Sequence, residues 1–383
     1  MNAESAYLFR HALLRDAAYQ LQLPGDRARL HALALELIES AFGGRPAWES
    51  NPLKQGRKPR AVDPMADELA AHARAAMEGS PSAAQAADLL ESEALYLWRA
   101  AIHHRTSYRL ERALRLYLAT SAHSAAPQQI RMAAMTRAGI TCMTCGRAAE
   151  STKYFREALN MAREANAATA ECVISTNFAE ALCEMGQLDE SERLLRRALE
   201  LARRISDTTE EAPILMSLAI VARRRGQAVM AVELLNQTLN LARETEDEQL
   251  EGQALHNLGN VLADAGRFAE AESALNRALA MDQMREVSRN TVSASLAELY
   301  FRTSRPKLAE PLILGAIAFA RRTGMRRVLA IRLITLAAGI SAQGRRDEAL
   351  RLQREAAALA IELEDERLRA LCASLLQDLG AKS

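Results

Sequence analysis

The chain has few aromatic residues, no long apolar run and no surplus of charge of either sign. Aromatics are 4% of 383 residues, while Ala, Leu, Arg and Glu, all strong helix formers, dominate. No apolar run reaches the roughly 18 residues of a membrane span. The first residues, MNAESAYLFRHALLRD, carry charges where a secretory signal needs an apolar centre. A cytosolic location is the default expectation. Lys plus Arg is 49 against 48 for Asp plus Glu, which removes the electrostatic case for general nucleic-acid or membrane binding. The five cysteines are an odd number without disulfide-framework spacing, so they read as reduced thiols. Catalytic signatures are missing too: there is no G-x-x-x-x-G-K-[ST], G-x-S-x-G or H-E-x-x-H. No strand-like alternation of useful length occurs. What is there is 49% hydrophobic residues, enough for a large core.

Small residues recur in a fixed triplet, each member followed by the next after 12 and then 7 positions. The triplets are Ala101, Ala113, Thr120; Gly139, Ser151, Ala158; Ala179, Ser191, Ala198; Ala219, Ala231, Thr238; Gly259, Ala271, Ala278; Ala297, Ala309, Ala316; and Ala337, Ala349, Ala356. Successive starts lie 38, 40, 40, 40, 38 and 40 residues apart. A repeat architecture follows. Leu at helical spacing fills the gaps, as at Leu255, Leu258, Leu262, Leu275 and Leu279. Each unit reads as two helices joined by a tight turn at Gly146, Gly186, Gly226, Gly266 or Gly344, with Tyr108 and Ser304 at the equivalent places. Glycine there supplies the left-handed conformation that ends a helix. The first small residue lets the second helix cross close to the first, and the other two let the next unit dock. A Leu at such a place would overpack by roughly 1–3 kcal/mol.

This arrangement resembles the tetratricopeptide repeat over about residues 90 to 380, on those triplets and turn glycines. The family's usual unit is about 34 residues, so a 40-residue period implies longer helices, as in kinesin light chain and the Leu-Gly-Asn repeat proteins. The family's usual Pro near the end of the second helix is missing. HEAT repeats fit the period but not the triplet. The fold expected is all-α: a right-handed superhelical solenoid of seven helix pairs within residues 65–364, closed by a capping helix in 365–383, where Gln377 replaces the small residue.

Residues 1–42 do not fit the repeat. Phe9, His11, Ala12, Leu13, Asp16, Tyr19, Arg27, Leu30 and His31 spell F-x-H-A-L-x-x-D-x-x-Y followed by R-x-x-L-H. This resembles the helical junction between ATPase and repeats in bacterial signal-transduction ATPases, among them transcription regulators, cyclase-linked ATPases and kinases. Residues 66–79 and 94–117 look like that family's next helix and first repeat. The resemblance implies a sensor or interaction arm whose ATPase core is absent from this chain. A late gene start, a cut from a longer chain and a retained remnant all stay open. Residues 43–64 combine Gly and Pro with five basic residues and two acids. They read as a flexible basic loop, or as a docking segment with Arg57, Lys58 and Arg60 around a Trp48 anchor.

Cys142 and Cys145 form a lone C-x-x-C with no second pair, and core packing explains them better than zinc or redox chemistry. His103 and His104 are adjacent, so they face different ways on a helix, and no ligand lies a turn away. His11 and His31 belong to the junction motif and read as structural. No cofactor, metal or catalytic residue is expected.

Repeat geometry gives the binding candidates. First helices line the concave face of a helix-pair stack. Two residues before each first small residue stand Arg99, Arg137, Asn177, Ser217, Asn257, Ser295 and Thr335; one residue after it stand Ile102, Ile140, Glu180, Ile220, Asn260, Glu298 and Ala338. Asn offers both donor and acceptor to an extended peptide, and tetratricopeptide domains that this chain resembles use Asn in that way. Bonding to neighbouring helices is the plainer alternative. Arg223, Arg224 and Arg225 close a first helix and complement its dipole, or form a cationic wall for an acidic peptide. The candidate peptide-binding set is Arg137, Asn177, Glu180, Ser217, Arg223, Arg224, Asn257, Asn260 and Glu298. The expected activity is non-enzymatic docking of a protein or peptide, with an upstream or separate ATPase as a further partner. A small-molecule effector that closes the superhelix is the alternative.

Overall fold

The computed structural model describes residues 19, 22–53, 59–281, 285–363 and 365–380. Phe9, His11, Ala12, Leu13 and Asp16 of the junction motif, and Arg57 and Lys58 of the basic loop, lie outside the described residues. Among those described the chain is all α-helix, apart from two short 3₁₀ segments at Asp63–Met65 and Met77–Gly79. No described helix is long and apolar enough to cross a membrane. The chain divides into two compact units, residues 1–141 and 142–383.

The first unit holds α1 (Pro24–Ala41), α2 (Ala66–Ala76), α3 (Ala83–Thr106), α4 (Leu110–Ala122) and most of α5 (Gln128–Thr144). Ser82 starts α3 with a reciprocal capping box: its hydroxyl takes the Gln85 N–H while the Gln85 side chain takes the Ser82 N–H. Residues 92–102 of α3 are buried on every side, with Tyr96, Trp98 and Arg99 among them. The segment before it is tied down rather than free. Arg45 bonds Glu39 and Asp88, the Trp48 indole donates to Glu91 at 3.0 Å, and the Pro52 carbonyl accepts from Arg137 at 2.9 Å.

The second unit continues with α6 (Ala148–Glu164), α7 (Ala168–Glu184), α8 (Leu188–Arg204), α9 (Thr208–Arg224), α10 (Ala228–Glu244) and α11 (Glu248–Asp264). Each of these six is 17 residues long. The extra residues over a 34-residue repeat therefore lengthen the helices and add no new element. Then come α12 (Phe268–Leu279), α13 (Glu286–Arg302), α14 (Pro306–Thr323), α15 (Arg326–Ser341), α16 (Arg346–Glu362) and the closing α17 (Glu366–Gly380). Gln353, buried in α16, donates to the Cys372 carbonyl of α17 at 3.2 Å.

Every member of the seven triplets is buried. Gly259 shows why. A Cβ built there would stand 2.6 Å from Leu275 Cγ and 3.3 Å from the Ala271 carbonyl on the second helix of its pair. At the equivalent contact in the third pair, the Ser191 hydroxyl donates to the Ala179 carbonyl at 2.7 Å.

Turn chemistry is equally regular. Gly186 has φ +80°, and the next residue, Gln187, donates back to the Leu182 carbonyl at 2.9 Å, closing the helix end. The turn between units uses the same left-handed closure without glycine, at Asn166, Ser206 and Glu246. There an ion pair spans the turn each time: Arg163–Glu171 at 2.8 Å, Arg203–Glu211 at 2.8 Å and Arg243–Glu251 at 2.9 Å.

Candidate functional site

In the second unit the first helices of successive pairs, α7, α9, α11, α13 and α15, pack directly on one another, and no comparable contact joins the second helices. A stack curves towards its more closely spaced row, so that row is the inner face. The residue after each first small position meets solvent on this row: Glu180, Glu298 and Ala338 are exposed, and Ile220 and Asn260 half-buried.

Two polar groups form on this row. In the first, buried Ser217 on α9 donates to Glu180 of α7 at 2.8 Å. Protein crowding around Glu180 pushes its carboxyl up from the ordinary value; the Ser217 hydroxyl opposes that, and Glu184 adds to it. Glu180 still meets solvent, as a side chain at the floor of a trough can. Glu184, Cys183 and Arg224 complete the walls of a cavity of about 230 Å³.

The second group runs across three helices. Asn260 Nδ2 lies 3.1 Å from His256 Nε2, and the same ring nitrogen lies 2.9 Å from the Ser295 hydroxyl on α13. As oriented, the amide donates, so His256 carries its proton on Nδ1. Burial, with Arg332 and Arg223 adding to it, lowers the His256 pKa to about 4, which keeps the ring neutral at ordinary pH. Arg332 of α15 is itself shifted down by burial, with Glu298 opposing. It has no hydrogen bond or ion pair among the described residues. The six other pairs have Tyr96, Ala134, Ile174, Ile214, Ala254 and Val292 at this register, all buried. Arg332 is thus a cation at a core position.

Of the other candidates, all but Asn257 and Glu298 are engaged within the chain. Asn177 Nδ2 donates to the Val173 carbonyl of its own helix at 2.8 Å, and the Thr335 hydroxyl to Ile331 at 3.1 Å. Asn257 is half-buried and makes no side-chain hydrogen bond among the described residues. Arg223 reaches forward to Asp264 at 2.6 Å, Arg224 back to the Cys183 carbonyl at 2.8 Å, and Arg225 to Asp189 and Glu192. They tie neighbouring pairs together. Arg302 repeats the Arg224 contact two pairs on, donating to the Ala263 carbonyl at 2.8 Å.

Arg99 and Arg137, expected on the groove, are instead buried in the first unit. Arg99 pairs with Asp63, and Arg137 holds Pro52 while lying 5.5 Å from the Trp98 ring centre. The segment between α1 and α2 covers the register that is open in later pairs. Cys142 is buried and Cys145 half-buried. His104 is buried against Asp67, while His103 stays half-exposed. His31 contacts Tyr19 and His72. Among the described residues no three His, Cys, Asp or Glu side chains converge as a metal site would require.

His256 and Arg332 were not among the sequence candidates, although both break the repeat. Positions equivalent to His256 carry Trp98, Thr136, Thr176, Met216, Ala294 and Ile334. A polar or charged residue where its equivalents are buried was the available signal.

A tetratricopeptide repeat family model matches residues 131–204, 167–244 and 210–284. No curated protein matches the chain at the level of sequence. Among solved structures, the chain is similar to a Rap protein complexed with competence and sporulation factor. That match has 14% identity over 94% of this chain and 98% of the other, with TM-score 0.55. It is similar to NprR in complex with its cognate peptide NprX, at 16% identity over 82% and 95%, TM-score 0.55. It is also similar to a signal-transduction ATPase with numerous domains bearing a tetratricopeptide repeat sensor, from Pyrococcus horikoshii, at 15% identity and TM-score 0.50. That alignment covers 81% of this chain and 48% of the ATPase. At these identities the likeness is one of fold.

Proposed function

We propose, for a chain whose residues 131–284 are tetratricopeptide repeats, a non-enzymatic role as a scaffold that docks an extended peptide segment on the inner face of its second unit. In this reading the occupant's anionic group pairs with Arg332. Asn257, Asn260 and Glu180 meet its backbone and polar side chains. The observation that carries it is Arg332, a cation without an ion pair at a register buried and uncharged in every other pair. A half-buried charge whose desolvation is opposed only by a carboxylate beyond pairing distance, here Glu298, keeps part of its desolvation cost. It persists where something else, here a ligand carboxylate, supplies the missing partner.

The cognate peptide in the NprR structure supports the same reading. The junction motif in residues 1–42 supports placing the scaffold as the sensor or interaction arm of a signalling ATPase or transcription regulator. A small-molecule effector is the competing reading. Cavities of about 230 Å³ beside Glu180 and about 420 Å³ beside Glu184, Arg224 and Arg327 straddle the lower end of the roughly 300–1,000 Å³ of ligand pockets, so the binding test and not cavity size separates the two readings.

The test is selection of displayed random peptides on the purified full chain, followed by binding to Arg332→Met. The variant restores the apolar register, so it should unfold at higher urea than wild type while losing at least tenfold in affinity for the selected peptide. Undiminished affinity in Arg332→Met refutes the assignment.

A further inference from the structure

The outer side of the second unit carries a charge pattern that the inner face does not explain. Second helices leave shallow grooves over α7 and over α9. One lies between α6 and α8, about 420 Å³ in volume, with Leu159, Phe178 and Leu194 at its base. Four guanidinium groups surround it: Arg156, Arg163, Arg193 and Arg197. Two carboxylates face them. Glu171 takes Arg163 at 2.8 Å and Arg197 at 3.6 Å, and Glu190 lies 3.8 Å from Arg156. Arg193 reaches only a carbonyl of its own helix, at 3.4 Å. The groove keeps an excess of positive charge in a chain that is otherwise balanced.

The repeat itself supplies the control. Forty residues on, the groove between α8 and α10 has the same backbone, and Arg156, Leu159, Arg163 and Leu194 become Arg196, Leu199, Arg203 and Leu234. The other positions change. Arg193 becomes Glu233, Arg197 becomes Gln237, Glu190 becomes Met230 and Phe178 becomes Leu218. Helix packing therefore does not require Arg193, Arg197 or the aromatic base, since the neighbouring groove keeps two cations, Arg196 and Arg203, and does without the rest.

We infer that the α6–α8 groove is a second docking surface, separate from the inner face, for an acidic segment of a partner protein that carries an apolar residue among its carboxylates. Guanidinium forks match carboxylates in pairs. Arg clusters that read acidic motifs are an established recognition mode, and the apolar base gives the segment a place to anchor. The overall charge balance, 49 cations to 48 anions, disfavours a nucleic-acid partner.

The experiment uses the full chain, a fluorescent peptide of alternating Glu and Leu, its Gln/Leu counterpart and a single-stranded DNA oligonucleotide. Arg193→Glu with Arg197→Gln copies the neighbouring groove and keeps the fold, as its unchanged melting temperature should show. Wild type should bind the Glu/Leu peptide with affinity that falls with salt, and the double variant should lose about tenfold. Glu233→Arg with Gln237→Arg should create a second such site. The inference is overturned by equal binding of the Gln/Leu peptide, by full affinity in the double variant, or by groove-dependent binding of the DNA in place of the peptide.

Discussion

Replacing His256 tests the inner-face polar chain through pH. The His256 ring is held neutral by burial between Asn260, Ser295 and the cations Arg332 and Arg223. An ordinary histidine takes its proton near pH 6.5, whereas His256 does so near pH 4. The unfolded chain thus binds a proton that the folded chain refuses across that interval. A group with lowered proton affinity in the fold contributes stability that is present above pH 6.5 and lost as pH falls towards 4. Each tenfold in proton affinity is about 1.4 kcal/mol, so the full loss is about 3 kcal/mol. His256→Gln keeps an amide within reach of Ser295 and Asn260 and cannot titrate. Urea unfolding at about pH 7 and about pH 4.5, followed by circular dichroism, should show wild type losing about 2–3 kcal/mol more than the variant. Equal losses in the two proteins would mean the ring is not held neutral, and the polar chain as described would be wrong.

Packing and charge give three further outcomes. Gly259→Ala puts a methyl 2.6 Å from Leu275 Cγ and 3.3 Å from a backbone oxygen; it should cost about 1–3 kcal/mol in urea. Gly315→Ala, in a helix with nothing within 4 Å of the new Cβ, should be neutral or stabilise by up to about 1 kcal/mol. The Glu180 carboxyl, raised by protein crowding, costs the fold stability as pH rises from about 4.3. Glu180→Gln should therefore be the more stable protein at neutral pH and converge with wild type in acid. A constant difference across pH would contradict that origin.

The repeat was legible because close helix approach leaves so little choice. Where a Cβ at Gly259 would meet Leu275 and a backbone oxygen, only the smallest side chains fit, and that constraint writes the same triplet in every pair. The turns inside each pair were legible for a similar reason, since the glycines take positive φ. The turns between pairs were not, because Asn166, Ser206 and Glu246 adopt the same backbone without glycine and leave no residue-type signature. At the inner face, Glu180 and Ser217 were named separately and meet across two helices, as do Asn260 and Ser295 through His256. Arg332 is not legible from periodicity, which marks polar residues at open registers, whereas Arg332 sits at a register that is buried in the other pairs. Arg99 and Arg137 were misplaced because the rule assumes every pair is open, while a segment earlier in the chain covers the first two. Nothing local to α3 or α5 encodes that covering.

Photo-crosslinking of the selected peptide tests the central claim most directly. The account predicts that a benzoylphenylalanine installed at Ala338, exposed on the inner row of α15, captures the peptide. The same group at Ile361, exposed on the second helix α16, should not. Capture at Ile361 with none at Ala338 would contradict binding on the inner face.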